Sequence, residues 1–202
     1  MAFQYPNNEV PMGNFEPSSI LGEFNAISFV IQQAISKMQT AALVMVESCT
    51  NSGGLSAVGF VNVVPMVNQV DSMGNQEPHT TIYNLPYFRI QGGANAIIID
   101  PSVGDIGICV FSSRDISKIK STKSKGNPDS SRQFSFSDGL YIGGVLNVIP
   151  SQYVQINNSG IKIYSPTQVS IESPSISLNG HDFATHIHSG VVIGTNNTGA
   201  PV

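Results

Sequence analysis

Two of the four histidines in this chain, His186 and His188, are separated by a single residue. On extended backbone, residues i and i+2 leave the same face about 6.5–7 Å apart along the chain, so both imidazoles point together while Ile187 points away. Two imidazoles hold a metal ion weakly. If three identical chains meet on an axis, the site gains six nitrogen donors in two stacked triangles, an octahedron. That arrangement disfavours zinc, which takes four ligands in a tetrahedron. It favours a six-coordinate ion such as iron(II) or nickel(II), and cellular availability favours iron. With every position filled by protein the ion is a structural rivet, because a catalytic ion needs an open position. His181 follows Gly180, a turn residue, and lies an odd number of residues before His186, so it is not counted as a ligand. His79 reads as an ordinary surface or half-buried histidine.

Such a pair needs a scaffold that brings chains together, and the segment before it has the right pattern. From Phe134 to the end only four charged residues occur, Asp138, Lys162, Glu172 and Asp182. In Val154-Gln155-Ile156, Ile161-Lys162-Ile163, Val169-Ser170-Ile171 and Ile176-Ser177-Leu178, apolar residues flank a polar one, and Leu140–Ile142 is a further short run. Period-two strands hide one face only, and strands this short do not enclose a core alone. Stacked as rungs of about seven to eight residues in a prism shared by three chains, they do, and the open edges vanish. The competing arrangement is a single-chain sandwich. These patterns predict an intertwined β-helix shaft over 134–180 and an apex over 181–202 carrying the metal-binding tip.

Upstream, residues 1–17 contain Pro6, Pro11 and Pro17 and read as an irregular arm. Ser18 or Ser19 then caps a helix running to about residue 39. Ile20, Leu21, Phe24, Ile27, Val30, Ile31, Ala34, Ile35 and Met38 recur on it at three- and four-residue intervals. Its apolar face is expected either against the next domain or against a neighbouring subunit, and arm and helix together make up 1–40. Five Val- and Ile-rich runs follow, at 41–49, 56–67, 79–84, 94–99 and 105–112, with turn material such as Gly53-Gly54 and Gly92-Gly93 between them. Five short strands predict a small barrel of the OB-fold type over 41–113. The stretch 114–133 holds Arg114, Lys118, Lys120, Lys123, Lys125 and Arg132, six of the nine basic residues, and reads as an exposed linker. The fold class is therefore mainly β: an OB-fold-type barrel, then a trimeric triple-stranded β-helix with a metal-bound apex.

Composition narrows the function classes. Charged residues make up 11% of the chain, against roughly a quarter in ordinary soluble domains. Hydrophobic content is 41%, so the missing charge is replaced by Ser, Asn, Gln, Thr and Gly, and the low hydrophobicity with high net charge that marks disorder is absent. A net charge of −4 argues against a general nucleic-acid binder. No aromatic residue interleaves with the lysines of 114–132 to stack on bases. Residues 1–14 carry neither Lys nor Arg, and no run reaches the ~18 apolar residues of a membrane helix. No signal peptide or spanning helix is expected, and synthesis in the cytoplasm is. Cys49 and Cys109 sit in apolar runs without metal-ligand spacing and read as buried thiols.

Three stretches then add a resemblance. They are Pro101-Ser102-Val103-Gly104-Asp105-Ile106-Gly107 through Phe111-Ser112-Ser113-Arg114-Asp115-Ile116, Phe134-Ser135-Phe136-Ser137-Asp138 leading into Tyr141-Ile142-Gly143-Gly144, and Thr185-His186-Ile187-His188 followed by Gly190 and Thr198-Gly199-Ala200-Pro201. In their order the chain resembles the membrane-puncturing central spike of contractile-tailed phages and R-type bacteriocins, itself related to the type VI secretion spike. The resemblance runs from about residue 41 to the end. It implies a homotrimeric, non-enzymatic virion protein at the tip of the tail baseplate, assembled in the host cytoplasm. It also implies partners in the baseplate hub and tail tube, transient piercing of the host outer membrane, and one iron ion per trimer on His186 and His188 of three chains. Neither a nucleic acid nor a small-molecule substrate is implied. No insertion is long enough for the lysozyme domain of longer members.

Rival readings differ in what they require. A trimeric receptor- or glycan-binding tail protein needs exposed aromatic clusters, whereas Phe134, Phe136, Tyr141, Tyr153, Tyr164 and Phe183 are scattered. A metal hydrolase built on His181, His186, His188 and Asp182 needs an open coordination position and a base. A nucleic-acid-binding barrel needs the basic loop.

Overall fold

A computed structural model describes residues 22–70, 74–183, 190 and 194. The N-terminal arm and the histidine pair, His186 and His188, lie outside the described residues. The protein is mainly β and divides into two compact units, 1–148 and 149–202.

In the first unit, strands β1 (Ala41–Cys49), β2 (Phe60–Pro65), β5 (Ile82–Pro86), β8 (Ile106–Phe111) and β9 (Gly139–Ile142) form one sheet in the order β5-β2-β1-β8-β9. All four pairings are antiparallel. In β2 and β8 every second residue is buried, the mark of one face turned to a core. The sheet curls into a half-barrel whose edge strands approach at Tyr87 and Tyr141, where the Phe88 N–H donates to the Tyr141 carbonyl at 2.8 Å. Inside lie Val44, Val46, Val61, Val63, Ile82, Leu85, Tyr87, Cys109, Phe111 and Tyr141. Burial pushes the Cys109 thiol and the Tyr141 hydroxyl each up to about 12. Cys49 is half-buried and, like Cys109, a free thiol.

Two details depart from the sequence expectation. The run expected as a strand over 94–99 does not join the sheet. Instead β6 (Ile90–Gly92) and β7 (Asn95–Ile97) close on each other around Gly93, whose φ of 58° permits the tight reversal. Leu140–Ile142, expected as the first rung of the shaft, is the edge strand of the curled sheet, pairing Val110 with Leu140 and Ile108 with Ile142. Short alternation fits either place. Tyr141 decides, because its large ring needs a core, and Gly107 leaves room for it: a Cβ there would sit 2.6 Å from the ring.

A third departure concerns 114–133. This segment is not a free linker but folds back onto the half-barrel. It forms helix α2 (Ser117–Thr122), and Arg132 reaches Asp138 through Nε at 2.7 Å and Nη2 at 2.9 Å, and Asp115 through Nη2 at 2.9 Å. Two carboxylates with side chains only 0% and 3% exposed require such a partner, since burying an unpaired charge is costly. The Ile116 N–H and the Ser130 hydroxyl fill further acceptor positions on Asp138 and Asp115.

Helix α1 (Glu23–Ser36) precedes β1. It is shorter than the periodicity suggested: the chain leaves the helix after Ser36 to enter β1 at Ala41, and Ser18 and Ser19 lie outside the described residues. None of its residues is buried, so its apolar face does not pack on the half-barrel. No helix among the described residues is long and apolar enough to cross a membrane. One further antiparallel pair, β3 (Gln69–Val70) with β4 (Gln76–Glu77), belongs to this unit.

Candidate functional site

The second unit begins with strands β10 (Tyr153–Asn157) and β11 (Gly160–Tyr164), joined by Asn158-Ser159. The Asn157 side chain accepts the Ser159 N–H at 2.9 Å and fixes the turn. Their register sets Val154 opposite Ile163 and Ile156 opposite Ile161, so four apolar side chains share one face. Tyr153, Gln155, Lys162 and Tyr164 share the other. There the tyrosine rings lie 5.4 Å apart, with the Lys162 ammonium 5.7 and 5.3 Å from their centroids. This hairpin thus has one apolar face and one face on which its single charge is held by aromatic rings.

The apolar face is bare within the chain. Val154 is 64% exposed, Ile156 77%, Ile161 72% and Ile163 59%. Val169, Ile171 and Leu178 are exposed as well, and no residue from 149 to 183 is buried. The run 169–171, expected as a rung, forms no strand within one chain.

Past it the chain makes its last described element, β12 (Ser177–Leu178) paired with β13 (His181–Asp182). Asn179 and Gly180 have φ of 52° and 83°, the two positive values of the tight turn that matches strand twist. The Ser175 hydroxyl donates to Asp182, and the Phe183 N–H donates to the Ile176 carbonyl at 2.7 Å. The turn expected at Gly180 is therefore present. The strand after it was not foreseen, although Asn-Gly between short alternating runs is a strong hairpin signal. His181 sits in that strand opposite Leu178 and is exposed.

Elsewhere, the charged side chains that are buried serve structural roles. Asp100 accepts from Tyr87 Oη at 2.6 Å and from the Gly53 N–H at 2.8 Å, and pairs with Arg89, which also donates to the Ser56 carbonyl at 2.6 Å. Burial raises the Asp100 pKa, but these donors outweigh it and hold the carboxyl below its ordinary value. Asp138 behaves likewise: burial is overcome by Arg132 and the Ile116 N–H. The Ser117 and Ser130 hydroxyls, with Arg132 adding charge, hold Asp115 far below the carboxylate range. Each of these carboxylates accepts three hydrogen bonds from within the half-barrel unit, which commits it to holding the fold. Among the basic residues of the loop, Arg132 is committed to these two aspartates and Lys120 Nζ donates to the Ser137 carbonyl at 3.0 Å. His79 is half-buried with its ring edge-to-face against Phe136, 5.5 Å between centroids.

Among the described residues of one chain no group of three or more His, Cys, Asp or Glu side chains is gathered as a metal site. His186 and His188 follow the last hairpin in sequence and lie outside the described residues. As a donor set, two imidazoles per chain suit a six-coordinate transition ion when three chains contribute, and two alone do not. No protein-family model matches this chain, and a search of curated proteins finds none that matches it.

Proposed function

We propose that this chain is the subunit of a homotrimeric central spike at the tip of a contractile phage tail baseplate, a structural virion protein that pierces the host outer membrane when the sheath contracts. The observation that carries the reading is the bare apolar face of 149–183. Fully burying a Val or Ile side chain stabilises by about 1.5–3 kcal/mol, and with roughly two thirds of their surface still exposed Val154, Ile156, Ile161 and Ile163 together forgo roughly 4–8 kcal/mol per chain while unpartnered. Three hairpins turning these faces to a common axis recover that energy. They also leave Lys162 and its two tyrosines outside.

The strand order of the first unit supports an OB-fold-type barrel, proposed to dock in the baseplate hub, since an isolated parallel bridge brings Tyr87, just past β5, to Tyr141 of β9 at the open side of the half-barrel. An intertwined β-helix suits a part loaded mechanically, because no rung leaves without disturbing two others and unfolding is slow. A low-charge shaft suits passage through lipid, where each charge at the centre costs on the order of 2.5–3.5 kcal/mol. At the apex His186 and His188 of three chains hold one iron ion, which cross-links chain ends too narrow to enclose a core. The ion has no open position, and the protein works as a needle and not as an enzyme.

Mass measurement in solution combined with metal analysis tests this directly. The expected result is a trimer with one iron per three chains. In His186→Ala with His188→Ala the metal is lost while the trimer survives on its shaft. A monomer at micromolar concentration overturns the reading.

A further inference from the structure

Helix α1 is built inside out for a single chain. Phe29 and Gln33, one turn apart, are half-buried, whereas the face opposite them carries Phe24, Ile27, Ile31, Ala34 and Ile35, all exposed. Exposure of its four large side chains runs from 52% at Ile31 to 81% at Phe24. An amphipathic helix ordinarily turns such a stripe to its own core, and this one turns it away.

The spacing of that stripe indicates what covers it. Phe24, Ile27, Ile31 and Ala34 follow at intervals of three, four and three along α1. This is the a/d seam of a heptad repeat, the pattern with which identical helices pack on one another. Isoleucine at both an a position (Ile31) and a d position (Ile27) favours three strands or more over two. Val30 and Ile35 fall on the flanking g and e positions and widen the apolar stripe beyond a two-helix seam. Charge does not oppose self-association, because Glu23 is the sole charged residue of α1.

We infer that α1 is a second trimerisation element, a parallel three-helix coiled coil through which copies of this chain clasp one another by Phe24, Ile27, Ile31 and Ala34. The inference rests on the trimeric spike reading for its partner number. Fourteen residues make only two heptads, too few for a stable helix bundle by itself. Chains already joined through 149–183 raise the local concentration of the three helices and make so short a coil sufficient. The spike is then held at two places along its sequence, by helix and by shaft.

Cross-linking in the full chain tests it. In a Cys49→Ser background, with Cys109 buried and its thiol held protonated, Ile31→Cys places one thiol per chain on the seam and Ser36→Cys one on the outer side. Under mild oxidation Ile31→Cys is expected to give a disulfide-linked dimer on a denaturing gel, two of the three copies being joined, while Ser36→Cys stays unlinked. Unmodified protein that is trimeric by mass, with Ile31→Cys unlinked and open to a bulky thiol reagent, overturns the coiled coil and leaves the spike reading intact. A trimer in which Ile31→Cys is both unlinked and protected assigns the face to another occupant and equally overturns it. Monomeric unmodified protein overturns the spike reading itself.

Discussion

The two units of this protein use the same short, alternating strands and reach opposite outcomes. In the half-barrel the apolar positions of β2 and β8 meet a shared interior, and ten hydrophobic residues are buried there. In the hairpins of 149–183 the alternation is as regular, yet nothing is buried. The difference lies in how many strands one chain brings to one place. Five strands curl around a core, whereas a two-stranded hairpin has a face and no interior. Alternation therefore specifies a face that must be covered, and leaves open whether the cover comes from the same chain.

The comparison breaks most visibly if the bare face is made polar. With Ile156→Asp and Ile161→Asp, the spike reading expects complete loss of the trimer by mass at micromolar concentration, with the half-barrel still folded as judged by the near-ultraviolet signal of Tyr87 and Tyr141. Retention of the trimer would show that the hairpin face is not an interface.

The next effect lies on the self-sufficient side. Asp138→Ala removes the fully buried partner of Arg132 and the acceptor of the Ile116 N–H, while Arg132 is partly exposed and keeps Asp115, and is expected to cost about 1–3 kcal/mol in denaturant unfolding of the half-barrel. The two aspartates of this cluster and Asp100, paired separately with Arg89, set an acid limit. Asp100, Asp115 and Asp138 are all held below their ordinary values when folded. The unfolded chain therefore takes up protons first as pH falls below about 4. Their contribution is fully present above that point and is lost progressively below it. Thermal melts from pH 7 to pH 2 should show a midpoint falling mainly at the acid end, less steeply in Asp138→Asn.

Gly107→Ala puts a Cβ 2.6 Å from the buried ring of Tyr141. Overpacking of this kind costs about 1–3 kcal/mol, read as a lower denaturant midpoint with an unchanged slope. The smallest effect sharpens the inside-outside assignment of the hairpin. Lys162→Ala removes a cation held over Tyr153 and Tyr164 on the face opposite the isoleucines, and should cost no more than about 1 kcal/mol, with the trimer that the spike reading proposes left intact. A dissociated trimer in that variant would mean that the hairpin faces the other way.

Much of this was legible from the residues alone, because local chemistry decides it. The three- and four-residue recurrence from Phe24 to Ile35 makes a helix, Val- and Ile-rich alternation makes β1, β2, β5 and β8, and Gly180 makes a turn. Burial of Cys109 follows from its apolar neighbours in β8. The tertiary structure decided where equivalent pieces go. Leu140–Ile142 looked like a shaft rung until the pairing of Tyr141 over Gly107 placed it in the half-barrel. The basic run 114–133 looked like a linker until two buried carboxylates drew Arg132 back to the sheet. The apolar face of α1 was plain in the sequence, but its direction was not. Periodicity records which side chains share a face, whereas the surface that covers a face is chosen by contacts between residues far apart in the chain, or in different chains.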